Sequence, residues 1–95
     1  DKSKPIAYLD ASLFRKALRG ESPMPGVSLH SNGREKLVRL DITKRSFNVN
    51  LILDSMMYAE GIIEIRYVSP RTEKAAGVLV GKHPFGAFFI VSKTF

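Results

Sequence analysis

The sequence predicts an α+β domain: about five mostly antiparallel strands with two helices, in the order α-β-β-α-β-β-β. Three observations carry this. Apolar residues recur at helical spacing between Asp10 and Gly20. An Asn32-Gly33 pair separates two strand-like runs, and Ile63, Ile65 and Tyr67 alternate with Glu64 and Arg66 within the run 62–68.

Residues 1–5 read as a polar, flexible tail of a single domain spanning 1–95. Asp10 suits an N-cap, because its carboxylate can accept from the orphan amides of a first turn, and Gly20 can close the helix in a left-handed conformation. Between them Leu13, Phe14, Ala17 and Leu18 share one face. Arg15, Lys16 and Arg19 take the other, where cations toward the C-terminus complement the helix dipole. Residues 21–26, with Pro23 and Pro25, cannot continue that helix. Asn32-Gly33 then predicts a hairpin between residues 27–31 and 36–45. In its second strand Val38, Leu40 and Ile42 alternate with Arg39, Asp41, Thr43 and Arg45. Period two sends the aliphatics inward and places Arg39 and Arg45 together on a solvent face.

Residues 46–60 admit two readings. A helix capped near Asn48 and closed by Gly61 aligns Val49, Ile52, Leu53, Met56 and Met57, with the methionines as core filler. A strand alternates Phe47, Val49, Leu51 and Leu53 ahead of a short helix capped by Asp54. The helix explains more residues. In the next strand Ile63, Ile65 and Tyr67 oppose Glu64 and Arg66, and a polar loop over 69–76 carries Arg71 and Lys74. Residues 78–80, a turn over 81–86 and residues 87–93 make a closing hairpin. The run Ala87-Phe88-Phe89-Ile90-Val91 is apolar on both faces, so this strand is expected to be central or covered by another subunit.

Ninety-five residues, 44% hydrophobic and 25% charged, fit one globular domain and exclude disordered and collagen-like classes. The absence of cysteine removes disulfides, thiolate zinc sites and a Cys nucleophile. No apolar run approaches the roughly 18 residues of a membrane span, so no membrane partner is expected. The first residue is Asp1 rather than Met, which points to a chain processed or cut from a longer one. There is no Asn-x-Ser/Thr sequon, and an intracellular location, in the cytoplasm, nucleus or nucleoid, is expected.

The residues give no sign of catalysis. His30 and His83 are far apart and lack ligand-spaced partners, so local strand-end or turn roles are expected and no metal. Asp41 and Glu64 stand beside Arg39 and Arg66, and cross-strand ion pairing explains them better than an acid–base pair does. The run Gly77-Val-Leu-Val-Gly81-Lys82-His83 fails as a phosphate loop, since it has three residues between its glycines and His after the Lys. It reads as a tight turn between strands. No enzyme activity and no cofactor are expected.

Charge is the one functional signal. Fifteen Lys and Arg against nine Asp and Glu leave +6 and a pI near 9.9. The excess is divided between the two ends of the chain, the middle being neutral. The expected function is a small basic nucleic-acid-binding domain, DNA rather than RNA, such as the DNA-binding part of a transcriptional regulator. Arg39, Lys44, Arg45 and Arg66 would meet phosphates from a sheet face, and Arg71, Lys74 and Lys82 from adjoining loops. Phe85 is the candidate stacking aromatic, whereas Tyr67 and Phe47 read as core. Arg15 and Arg19, one helical turn apart, form a competing surface. No RNP-type aromatic pair, KH loop or zinc finger is present. The alternative is an interaction or assembly domain that forms a homodimer through its apolar last strand. The plain alternative to both is a solvated surface partly paired with Glu35, Asp41, Glu64 and Glu73.

Overall fold

The computed structural model describes residues 3–93. Strand β1 (Ser3–Asp10) leads directly into α1 (Ala11–Leu18), where Asp10 accepts from the Leu13 amide at 3.1 Å, as a cap requires. Strands β2 (Val27–Asn32), β3 (Glu35–Leu40) and β4 (Arg45–Asn48) follow, then α2 (Val49–Ser55) and strands β5 (Ile62–Val68), β6 (Val78–His83) and β7 (Gly86–Val91). One sheet has the order β1-β5-β6-β7 and the other β2-β3-β4, all pairs antiparallel. The sheets meet at one corner, where the Lys93 amide donates to the Ser46 carbonyl at 2.8 Å. Ile63, Ile65, Leu79, Phe88 and Ile90 of the first sheet close on Val38, Leu40 and Phe47 of the second. Ala11, Phe14 and Leu18 of α1 and Val49, Ile52 and Met56 of α2 complete this core. Among the described residues no helix is long and apolar enough to cross a membrane.

The α+β class and element order match expectation, with seven strands in place of five. Residues 3–5, expected as tail, begin β1; Asp1 and Lys2 lie outside the described residues. Ala7 and Leu9 pair with Ile65 and Ile63, so β1 has a core face, but a bulge between Pro5 and Ala7 breaks the alternation that would have revealed it. The second hairpin strand does not run to Arg45. Residues 41–44 form a turn in which Thr43 Oγ1 donates to the Leu40 carbonyl at 2.8 Å and accepts from the Arg45 amide at 3.1 Å. Thr43 is therefore buried and Ile42 exposed, the reverse of the expected alternation. Over 46–60 both readings hold in part. Phe47 belongs to a short strand, and Asn48 then caps a helix, accepting from the Leu51 amide at 2.9 Å. That helix stops at Ser55, so Met56 packs in the core while Met57 is exposed.

Arg15 explains how the turn after α2 is held. Its Nη2 donates to the carbonyls of Met56 and Ala59 at 2.9 and 3.0 Å, satisfying acceptors that a helix end leaves open. Arg15→Ala is expected to lower stability by about 2 kcal/mol, the scale of partly buried charged hydrogen bonds, as a shift in urea midpoint at constant slope.

The expected turn over 81–86 is shorter: β6 runs to His83, leaving Pro84-Phe85 as the connection. Gly81 and Gly77 are not turn residues. They lie under the rings of Phe88 and Tyr67, and a Cβ at either position would overlap that ring. Strand β7 is not central. It ends its sheet, with α2 packed beside it and the Ser46–Lys93 bridge closing its far end. Phe88 and Ile90 enter the core, whereas Phe89 and Val91 project outward and are exposed.

Candidate nucleic-acid interface

The turn over 41–44 that joins β3 to β4 also gathers cations. Lys44 adopts φ 55°, a left-handed conformation that costs an L-residue roughly 1–2 kcal/mol, and this reverses the chain within four residues. Arg39 spans the turn, its Nη1 donating to the Lys44 carbonyl at 3.3 Å. Arg45 follows, with Nη2 donating to the Glu73 carbonyl at 3.2 Å, which ties the 69–77 loop to the same place. The strand bridge brings in Lys93. Together His30, Arg39, Lys44, Arg45, Ser46 and Lys93 border an open basin of about 640 Å³. Its lining has four cations and no acidic side chain.

The remaining polar groups are paired locally. His30 Nε2 and Ser46 Oγ are 2.9 Å apart. Lys93 Nζ lies 2.9 Å from Glu35 Oε2, which also accepts from Asn48 Nδ2 at 3.0 Å. The Lys93 contact first, and Asn48 second, hold the Glu35 carboxyl below its ordinary value. A depressed carboxyl pKa stabilises the fold above the unfolded value, and that contribution is lost as pH falls through the lowered one. Acidification therefore loosens Lys93 from β3. Behind the basin Tyr67 is buried, and its hydroxyl has no hydrogen-bond partner among the described residues. Burial pushes its pKa up, with the nearby Arg45 guanidinium opposing.

Only part of the expected constellation assembles. Arg39 is in register with Ser46 and Arg45 with Leu40, so the two arginines occupy opposite faces of their sheet, and it is the turn that brings them together. Lys44 joins them. Lys74 and Arg71 are exposed on the loop that Arg45 tethers through Glu73. Arg66 lies on the outer face of the other sheet, paired with Glu64 of its own strand rather than across strands. Lys82, expected in a turn, stands on that outer face in register with Glu64. Phe85 is exposed, but at the end of β7 opposite Lys93. Arg15 is committed to the Met56 and Ala59 carbonyls after α2 and forms no surface with Arg19, which borders a separate cleft with Lys36. Among the described residues Asp41 and Glu73 make no side-chain ion pair. His83 Nδ1 accepts from the Phe85 amide at 3.3 Å, a turn-closing role.

Sequence reasoning missed Lys93, His30 and Ser46 as basin residues. A signal existed for Lys93, which continues the outward period of Phe89 and Val91. Nothing local points His30 toward Ser46, since their meeting depends on the pairing of three strands. Comparison with protein-family models, curated proteins and solved structures yields no match.

Proposed function

We propose that this is a non-catalytic nucleic-acid-binding domain, favouring DNA over RNA, that holds phosphates in the basin at the β3–β4 turn. The observation that carries this reading is the lining: Arg39, Lys44, Arg45 and Lys93 with no acidic side chain among them. Lys93 is paired with Glu35, whereas Arg39, Lys44 and Arg45 make no side-chain ion pair among the described residues. These neighbouring cations repel one another, and a polyanion relieves that repulsion while releasing its own counterions. The arginines bring planar forks suited to phosphate oxygens and the lysines bring mobile point charges. Lys74 and Arg71 extend the positive rim along the tethered loop. The turn displays Lys44 in a strained conformation, as is common where a loop serves a binding role.

The test is a triple substitution, Arg39→Ala with Lys44→Ala and Lys93→Ala. Loss of three phosphate contacts is expected to weaken oligonucleotide binding about 100-fold at low salt and reduce the log–log salt slope by about 2 to 3. Lys16→Ala with Arg19→Ala, exposed at the C-terminal end and cap of α1, is the control and should leave both quantities unchanged. An undiminished slope in the triple variant, with circular dichroism showing it folded, rejects the basin as the phosphate site.

A further inference from the structure

We infer that the outer face of the first sheet continues the basin into a stacking platform for single-stranded DNA, with Phe89 as its aromatic anchor. This rests on the basin as the phosphate site. Phe89 and Val91 are 69% and 58% exposed, while Phe88 and Ile90 between and beside them are buried. Lys93 continues the same alternation and borders the basin. Phe89, Val91 and Lys93 thus form a line with steps of about 7 Å, two residues of extended chain each. A strand of nucleic acid held by its phosphates at Lys93 therefore passes over Val91 and Phe89.

The neighbours suit that occupant. Cross-strand partners place Phe89 beside Val80, with Arg66 beyond it, and Val91 beside Val78, with Val68 beyond it. The result is a strip of valines, Val80 buried at its centre and Val78 and Val68 half-buried, with Lys93 at one end, Lys82 at the other and Arg66 on its flank. Glu64 is an acidic residue of this face, and Arg66 pairs with it. Cations at both ends of an apolar strip complement an oligonucleotide, whose bases are flat and apolar and whose backbone is anionic. A duplex hides its base faces inside the stack, whereas a single strand can turn them onto Phe89. The valines offer no hydrogen bond to a 2′-hydroxyl, and they favour the methyl group of thymine. DNA rich in thymine is the expected ligand.

The probes are an end-labelled oligothymidine of about 12 nucleotides, the matching oligouridine and a duplex of equal length, titrated by fluorescence anisotropy. The wild-type chain is expected to bind oligothymidine more tightly than either competitor. Phe89→Ala should weaken oligothymidine binding about 10-fold with an unchanged salt slope, and Phe89→Tyr should restore it, since stacking needs a ring and no charge is altered. Full affinity in Phe89→Ala, or a duplex bound at least as tightly, overturns the platform while the basin variant still shows whether phosphates are held there. Equal or tighter oligouridine binding overturns the assignment to DNA. If Phe89→Ala instead dissolves a dimer seen by light scattering and leaves DNA binding intact, the strip covers a second copy and the platform is rejected. Failure of the wild-type chain to bind any probe rejects the basin reading itself.

Discussion

Phe47→Ala is expected to cost about 4 kcal/mol, within the range for emptying a fully buried aromatic site. Phe47 is fully buried and sits edge-on to Tyr67, with ring centroids 6.2 Å apart and planes at 88°. Its strand has only four residues and is fixed to the core chiefly through this ring. A domain of this size has about 5–15 kcal/mol in all, so most of the margin would go. The expected readout is a much lower denaturant midpoint with little change in slope. Strand β4 also carries Arg45 and Ser46 and receives Lys93, so oligonucleotide binding should weaken although no cation is removed. A loss below about 1 kcal/mol would mean that β4 is held by its hydrogen bonds and not by the ring.

Gly81→Val is expected to destabilise by about 3 kcal/mol, because the new side chain must displace the Phe88 ring from a packed core. Valine is otherwise at home in a strand, so intrinsic propensity predicts the opposite sign. The pairing with Phe88 can be isolated. In the double variant Gly81→Val with Phe88→Ala, the loss should be clearly smaller than the sum of the two single losses. Simple additivity would show that the ring is not what excludes the side chain.

These two residues also show what a sequence can reveal. Elements defined by local rules were legible: the Asp10 and Asn48 caps, the Asn32-Gly33 hairpin, and the alternation of Ile63, Ile65 and Tyr67 against Glu64 and Arg66. Features set by distant partners were not. Gly81 looks like a turn residue until Phe88 is seen across the sheet, because glycine's permissiveness serves turns and close approach equally. β1 was hidden by its bulge, and the 41–44 turn by a Thr43 hydroxyl that bonds its own neighbours and so interrupts an apparently continuous strand. The candidate site followed the same division. Arg39, Lys44 and Arg45 were visible as basic residues, but strand periodicity assigned Arg39 and Arg45 to one face, and the turn that gathers all three was not legible. Lys93 enters the site only through its bridge to Ser46, 47 positions away. Arg15 looked like surface charge, and its role emerges only once α2 ends against it.

The central claim is that phosphates are held at the β3–β4 turn, and an amide-resolved NMR titration with a short oligonucleotide at low salt tests it most directly. The largest shifts are expected at Arg39, Lys44, Arg45, Ser46 and Lys93, with little at Lys16 and Arg19 of the first helix segment. These shifts should diminish together as salt rises, in step with counterion competition. Shifts confined to residues 15–19, or spread evenly over every exposed Lys and Arg, would contradict the basin and leave the positive charge as a solubilising surface.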